Sequence, residues 1–284
     1  MQTNEYHKKI VEYYDSTENA YRDSWDLKNS FSIHYGYWDE RVRSFRQSLL
    51  RMNEVMAKVA SISASDKVLD AGCGVGGSSI FIASQIGCKV TGITLSGRQV
   101  VQATFNANQK NVSALVDFEV MDYCNTSFAN ESFDVVWGCE SICYAGDKEK
   151  FIREAFRLLK PGGRLVVADG FVATFENNNA PVIRQWLDGW QVNYLETADR
   201  FTEFMRGAGF TGIVYKNISQ YTAQSSRRLL KFYYLASLYV TWKKLTFSNR
   251  ATDMQIKNIR ACRHQYDGRK KGLWEYGLIT GKKP

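Results

Sequence analysis

The chain has 284 residues, of which 44% are apolar, 14% aromatic and 23% charged, with only three prolines. That length and balance admit one large domain or two small ones around a real core, and exclude a collagen-like or disordered chain. The net charge is +8, unevenly placed: residues 216–284 hold fifteen Lys/Arg against Asp253, Asp267 and Glu275, leaving residues 1–215 at −4.

Met1–Ser16 lacks the apolar centre of an export signal. No apolar run reaches the roughly 20 residues of a membrane span, so a cytoplasmic protein is expected. An arm rich in Tyr, Phe and Trp (Glu5–Trp38) comes first and is expected to pack over the ligand edge of the core. Then β-branched runs alternate with helical patterns. Lys67–Ala71, Lys89–Thr94, Asp117–Val120, Phe133–Trp137 and Arg164–Ala168 read as strands. Val75–Ile86, Ser96–Ala107 and Lys148–Leu159 read as helices; in the last, Phe151, Ala155, Leu158 and Leu159 share a face and Lys160-Pro161-Gly162-Gly163 ends it. Such alternation predicts a parallel sheet covered by helices, with ligands beyond the carboxyl ends of the strands. Thr197–Ala208 reads as a further helix stopped by Gly209, Gly212–Asn217 as a strand, Ser225–Gly272 as mostly helical and basic, and Leu273–Thr280 as a last strand. A helical insertion between two terminal strands fits a cap over the sheet edge. The expected organisation is one domain: arm 1–60, core 61–217, cap 218–272 and last strand 273–284. Six cysteines without a CxxC pair read as free buried thiols, and no His/Asp cluster has metal-ligand spacing.

The strongest local signal is Val68-Leu69-Asp70-Ala71-Gly72-Cys73-Gly74-Val75-Gly76-Gly77, a strand running from an acidic residue into glycines. Glycine lets backbone turn tightly and approach a ligand. A dinucleotide-binding fold would show GxGxxG around a pyrophosphate. Here the Asp70 carboxylate suits an ammonium- or sulfonium-bearing ligand better.

These residues resemble the first motif of the class I S-adenosylmethionine-dependent methyltransferases. Phe133–Ser141 (FDVVWGCES) is similar to their fourth-strand motif, and Leu158–Gly170 (LLKPGGRLVVADG) to the segment leading into the fifth strand. Together with Gly92–Ser96 (GITLS) and Met121-Asp122 these span residues 66–170. GITLSxxQ and His34–Asp39 (HYGYWD) resemble the sterol, tocopherol, ubiquinone-type and isoprenoid or sugar natural-product branches more than the nucleic-acid ones. The resemblance implies a Rossmann-like doubly wound α/β sheet of seven mostly parallel strands with an antiparallel last strand, plus a helical cap. It implies S-adenosyl-L-methionine as cofactor. Asp70, Gly72 and Gly74 would hold its amino-acid end, Asp122 the adenine amino group, and Tyr123 would lie beside the ring. Leu95 would pack on adenine and Gln99 reach the ribose. The acidic residue usual after the second strand is replaced by Thr94-Leu95-Ser96, so Thr94 is either a cofactor contact or, with Ser96, part of a helix cap. Cys139 is a further cofactor-side candidate.

Methyl transfer from a sulfonium needs alignment and exclusion of water, and a general base where the acceptor loses a proton. Glu140, directly after the fourth strand, resembles the acid of an isoprenoid-methyltransferase ESxxY-like stretch; it is a candidate base or cation stabiliser, or a support of its loop. Asp169, ending the fifth strand, is either a substrate contact or a strand-end acceptor. Related sugar O-methyltransferases carry His where this chain has Cys143 and Tyr144, so His34, within the aromatic arm, is the histidine candidate. Tyr14, Tyr35, Tyr37, Trp38, Tyr144 and, in the cap, Tyr234 are candidate chamber walls, with core packing as the alternative. The aromatic and basic cap (Tyr233, Tyr234, Tyr239, Trp242 with Arg227, Arg228, Lys231, Lys243, Lys244) suits a small apolar acceptor with an anionic head, or contact with an anionic membrane. Methyl transfer at C, O or N is the function expected. An RNA methyltransferase and a cofactor-binding cyclase without transfer are the rivals. No RNA-binding domain is visible, which weakens the first.

Overall fold

A computed structural model describes residues 5–25, 27–246 and 252–284, without side chains for 18–24, 28 and 243–246; the side chains of Lys243 and Lys244 thus lie outside the described residues. The arm forms three helices: α1 (Glu5–Ser24), α2 (Leu27–Ser30) and α3 (Phe45–Val59). Next come β1 (Lys67–Ala71), α4 (Gly77–Ile86), β2 (Lys89–Thr94), α5 (Gly97–Gln109), β3 (Val116–Val120), β4 (Phe133–Cys139), α6 (Lys148–Leu158) and β5 (Leu159–Val172). The chain continues through α7 (Pro181–Gly189), α8 (Ala198–Ala208), β6 (Thr211–Asn217), α9 (Ser219–Thr246), α10 (Asp253–Lys270) and β7 (Trp274–Lys282).

The seven strands form one sheet in the order β3-β2-β1-β4-β5-β7-β6. β1, β2, β3, β4 and β5 pair in parallel, and β7 runs antiparallel to both β5 and β6. The order reverses between β1 and β4, so the crevice for a ligand opens beyond the carboxyl ends of those two strands. Central strands buried on both faces need unbroken apolar runs; Val135, Val136 and Trp137 of β4 are all at most 1% exposed.

Differences from the expected boundaries have local causes. The first glycine-loop helix starts at Gly77, not Val75, because Gly76 is left-handed (φ 89°). Lys160–Gly163, read as the turn between helix and strand, falls inside β5: the strand already pairs at Leu159↔Phe133, and a register shift absorbs the turn before Arg164↔Val135. The helix α7 was not expected. Pro181 at its first turn and Ile183, Trp186 and Leu187 at helical spacing were its signal.

The cap is stitched to the arm and to the last strand. Gln265 of α10, fully buried, accepts from Tyr35 Oη and Ser226 Oγ (both 2.8 Å) and donates to Ser226 O and Cys262 O. Trp274 Nε1 donates to the Gln265 carbonyl at 2.7 Å, and Asn258 Nδ2 donates to Tyr13 Oη of α1 at 2.8 Å. Buried polar groups satisfied this completely fix one arrangement of the three segments. Among the described residues, no helix is long and apolar enough to cross a membrane.

Candidate active site

Two cavities meet at the carboxyl edge of β1 and β4. The outer one is floored by the glycine loop and walled by Ile10, Val11 and Tyr14 of α1 and by His34. Asp70, Gly72, Gly74, Thr94, Leu95, Gln99, Tyr123, Cys139, Glu140 and Tyr144 all line it. The glycine loop therefore brings most of the predicted cofactor residues together. Asp122 does not face this cavity but lines an adjoining open cleft, which shares Val11 and Leu95 with it. Ser96 caps α5 by accepting from Gln99 N (3.3 Å), while Thr94 Oγ1 donates to Gln99 Oε1 (2.6 Å). The capping role and the cavity position coexist.

The residues present fit a cationic adenosyl ligand. Asp70 is 2% exposed, and its Oδ2 accepts from Ser79 Oγ at 2.6 Å. Burial lifts its pKa to about 6, and among the described residues no Lys or Arg lines the cavity. A buried carboxylate without a basic partner is costly unless a cation meets it. A ligand ammonium or sulfonium meets that need; a pyrophosphate would worsen it. Gly74 supplies the cradle: its φ is +53°, and a Cβ built there would meet nothing within 4 Å. Gly74→Ala puts a methyl group into that space and strains the backbone by roughly 1–2 kcal/mol. We expect it to weaken S-adenosylhomocysteine binding at least about tenfold in calorimetry, with a drop of a few degrees in Tm.

Glu140 stands in the wall between the two cavities. Its Oε1 accepts from Tyr276 Oη at 2.6 Å and from Tyr35 N at 2.5 Å. Its backbone is left-handed (φ 50°), a strained conformation for a side-chain-bearing residue that is held where surroundings over-determine it. Burial raises the carboxyl to about 8 against the pull of those two hydrogen bonds and with a smaller push from Asp169. Between the ordinary carboxyl range and pH 8 the folded apo-protein keeps a proton that the unfolded chain releases, so this group costs stability as pH rises. The expected result is that Glu140→Gln melts higher than the parent at pH 8.5 but not at pH 5, measured by calorimetry without cofactor.

Asp169 is differently employed: Oδ2 accepts from Cys143 N and Oδ1 from Gly170 N, both at 2.8 Å. It pins the turn after β4 to β5 while lining the inner cavity. His34 is 5% exposed with Nδ1 2.9 Å from the Tyr35 carbonyl, which makes Nδ1 the protonated nitrogen; Nε2 is buried without a partner. Burial lowers its pKa to about 4, so it is neutral near pH 7.

The inner cavity is aromatic: Tyr14, Trp25, Tyr35, Tyr144, Trp186, Trp190, Trp274 and Tyr276, with Leu229 of α9 in the roof. Tyr37, stacked on Tyr221 at 4.3 Å, and Trp38, donating from Nε1 to Ser225 Oγ at 3.1 Å, are packing residues outside both cavities. Tyr234 is 59% exposed on the outer face of α9, because that helix buries Thr222, Ser225, Ser226 and Leu229 instead. Arg227, Arg228 and Lys231 are likewise exposed. Arg227, Arg228 and Lys231 therefore do not supply the cations expected beside an anionic head, and no Lys or Arg lines the chamber among the described residues. Tyr276, Ser79 and the Trp186/Trp190/Trp274 wall were missed by the sequence reading. Tyr276 is delivered by the register that pairs it with Gly170, which local sequence does not display. Among the described residues no group of His, Cys, Asp and Glu is arranged to hold a metal.

A family model described as a methyltransferase domain matches residues 69–167. Over 208 residues the chain is 33% identical to 27-O-demethylrifamycin SV methyltransferase of Amycolatopsis mediterranei, an alignment covering 73% of this chain and 76% of that protein. The chain is a class I S-adenosylmethionine-dependent methyltransferase. The methyltransferase is also 28% identical to the chloroplastic tocopherol O-methyltransferase of Arabidopsis thaliana, over 98% of this chain and 82% of that one. Two solved structures share its fold. The [4+2]-cyclase SpnF matches with TM-score 0.78 and 23% identity over 98% of this chain and 97% of its own. Geranyl diphosphate C-methyltransferase from Streptomyces coelicolor, solved with S-adenosyl-L-homocysteine, matches with TM-score 0.75 and 19% identity over the whole of both chains.

Proposed function

We propose that this methyltransferase methylates a small, largely apolar acceptor seated in the aromatic inner chamber, with Glu140 taking the proton that the acceptor loses. The observation that carries this reading is the position of Glu140, one carboxyl group in the wall shared by the cofactor cavity and the chamber. The bound cofactor supplies an electrophilic methyl group on a sulfonium. Asp70, Gly72 and Gly74 orient its amino-acid end, while Tyr123, Leu95 and Gln99 receive the nucleoside.

The aromatic walls exclude water and align the acceptor, which supplies most of the rate in a displacement of this kind. As the acceptor's bond to the methyl carbon forms, the carbon–sulfur bond breaks and its electron pair stays on sulfur. Glu140 accepts the acceptor's proton before or during that step at oxygen or nitrogen; at an isoprenoid carbon it faces the positive charge that the methyl group leaves there and then takes the proton whose loss restores a neutral product. Its hydrogen bonds from Tyr276 and Tyr35 N fall on Oε1, so Oε2 is the atom left for this work. Rifamycin- and tocopherol-directed relatives act at oxygen by their names, and geranyl diphosphate C-methyltransferase acts at carbon. The chamber, with Glu140 and Asp169 and no described cation, favours an acceptor that is neutral in its buried part.

The test is incubation with methyl-labelled S-adenosylmethionine and a panel of prenylated hydroquinones, isoprenoid alcohols and macrolactones. Label on an extracted small molecule supports the proposal. Label on RNA, or cofactor binding with no labelled product from any of them, contradicts it.

A further inference from the structure

We propose that the outer face of α9 docks the protein on an anionic lipid surface, with the chamber roof carried on the docked helix. The inference does not depend on which acceptor is methylated. Along α9 the residues Tyr234, Leu235, Leu238, Tyr239 and Trp242 are 51–70% exposed. At 100° per residue they fall within a single arc of about 140°. A monomer scatters exposed apolar side chains singly; a contiguous set of this size marks an interaction surface.

Arg227 and Lys231 lie on the same arc, one to two turns earlier, and are exposed. The face is therefore basic near the body and aromatic and aliphatic toward the far end. Leucines enter the acyl boundary, Tyr and Trp sit at headgroup depth, and Lys/Arg meet anionic headgroups. Charge decides between the two occupants such a face could take. The arc belongs to the segment 216–284, which carries fifteen Lys/Arg against three acids, so two copies meeting symmetrically through it would bring like charges together. An anionic bilayer gains from the same charges, which meet its headgroups near the surface. The inward side of α9 meanwhile contributes Leu229 to the chamber, so docking would set the roof beside the lipid phase.

The experiment is co-sedimentation of the full chain with vesicles of phosphatidylcholine alone and of phosphatidylcholine mixed equally with phosphatidylglycerol. The expected result is binding at least about tenfold stronger to the mixed vesicles, and weaker at high salt. Leu235→Glu/Leu238→Glu/Trp242→Glu should abolish it, and Arg227→Glu/Lys231→Glu should remove the preference for anionic lipid. Both variants should bind S-adenosylhomocysteine as the parent does, which separates a lost surface from a lost fold. Absence of vesicle binding by the parent overturns the proposal, as does vesicle binding that the apolar triple variant leaves intact. So does sedimentation showing that the triple variant only dissociates a dimer.

Discussion

Asp70→Asn is expected to weaken S-adenosylhomocysteine binding about 10- to 100-fold, the worth of one hydrogen-bonded charge removed from a dry site. The substitution keeps the volume and one acceptor for Ser79, which donates to Oδ2 at 2.6 Å, so the fold survives and the loss is electrostatic. Burial, against the pull of the hydrogen bonds from Ser79, already lifts this carboxyl to about 6. Its charge is disfavoured in the empty site, and an incoming ammonium restores it. Binding should therefore release protons near pH 6, since the ligand pulls the group back toward the ionised form. Calorimetry in two buffers of different ionisation enthalpy reads both effects. An Asp70→Asn protein that binds as tightly as the parent, without proton release, would show that the carboxylate faces no cation.

Glu140→Gln should lower kcat by roughly 10²- to 10⁴-fold, the range of a positioned general base, and leave the KM for the cofactor nearly unchanged. The isosteric amide can still accept from Tyr276 and Tyr35 N, so the wall between the cavities stays built. The pH profile separates chemistry from packing. Only the ionised carboxylate takes a proton, and the free group titrates near 8. Hence kcat/KM should climb tenfold per unit below about 8 and flatten above it, and the step should vanish in Glu140→Gln. His34, held down to about 4 by burial, cannot produce a step there. A profile that keeps its rise in the Gln variant would assign Glu140 a supporting role only.

Much of the core could be read from local pattern. Lys67–Ala71 and Lys89–Thr94 begin and end where periodicity placed them, because buried parallel strands demand β-branched runs. The glycine loop announced its own cavity, since a positive φ at Gly72, Gly74 and Gly76 is a backbone requirement written in residue type. What stayed hidden depends on distant segments meeting. Tyr276 reaches Glu140 across 136 residues, and Gln265 gathers Tyr35, Ser226 and Trp274 from arm, cap and last strand. Aromatic abundance in the cap was visible, but its direction was not. Helix α9 turns Ser225, Ser226 and Leu229 inward, a choice set by close packing rather than by hydrophobicity, and Tyr234 was misplaced for that reason. Three of the tryptophans that line the chamber, Trp186, Trp190 and Trp274, lie on α7, at its C-cap and on β7, and α7 was missed altogether.

The most direct measurement is a crystal structure with S-adenosylhomocysteine. The methyltransferase should hold the ligand's ammonium group beside Asp70 and the glycine loop, with sulfur turned toward Glu140 and the aromatic pocket behind it. A nucleoside found instead in the open cleft of His7, Lys8 and Lys150, with its sulfur facing solvent, would contradict the account.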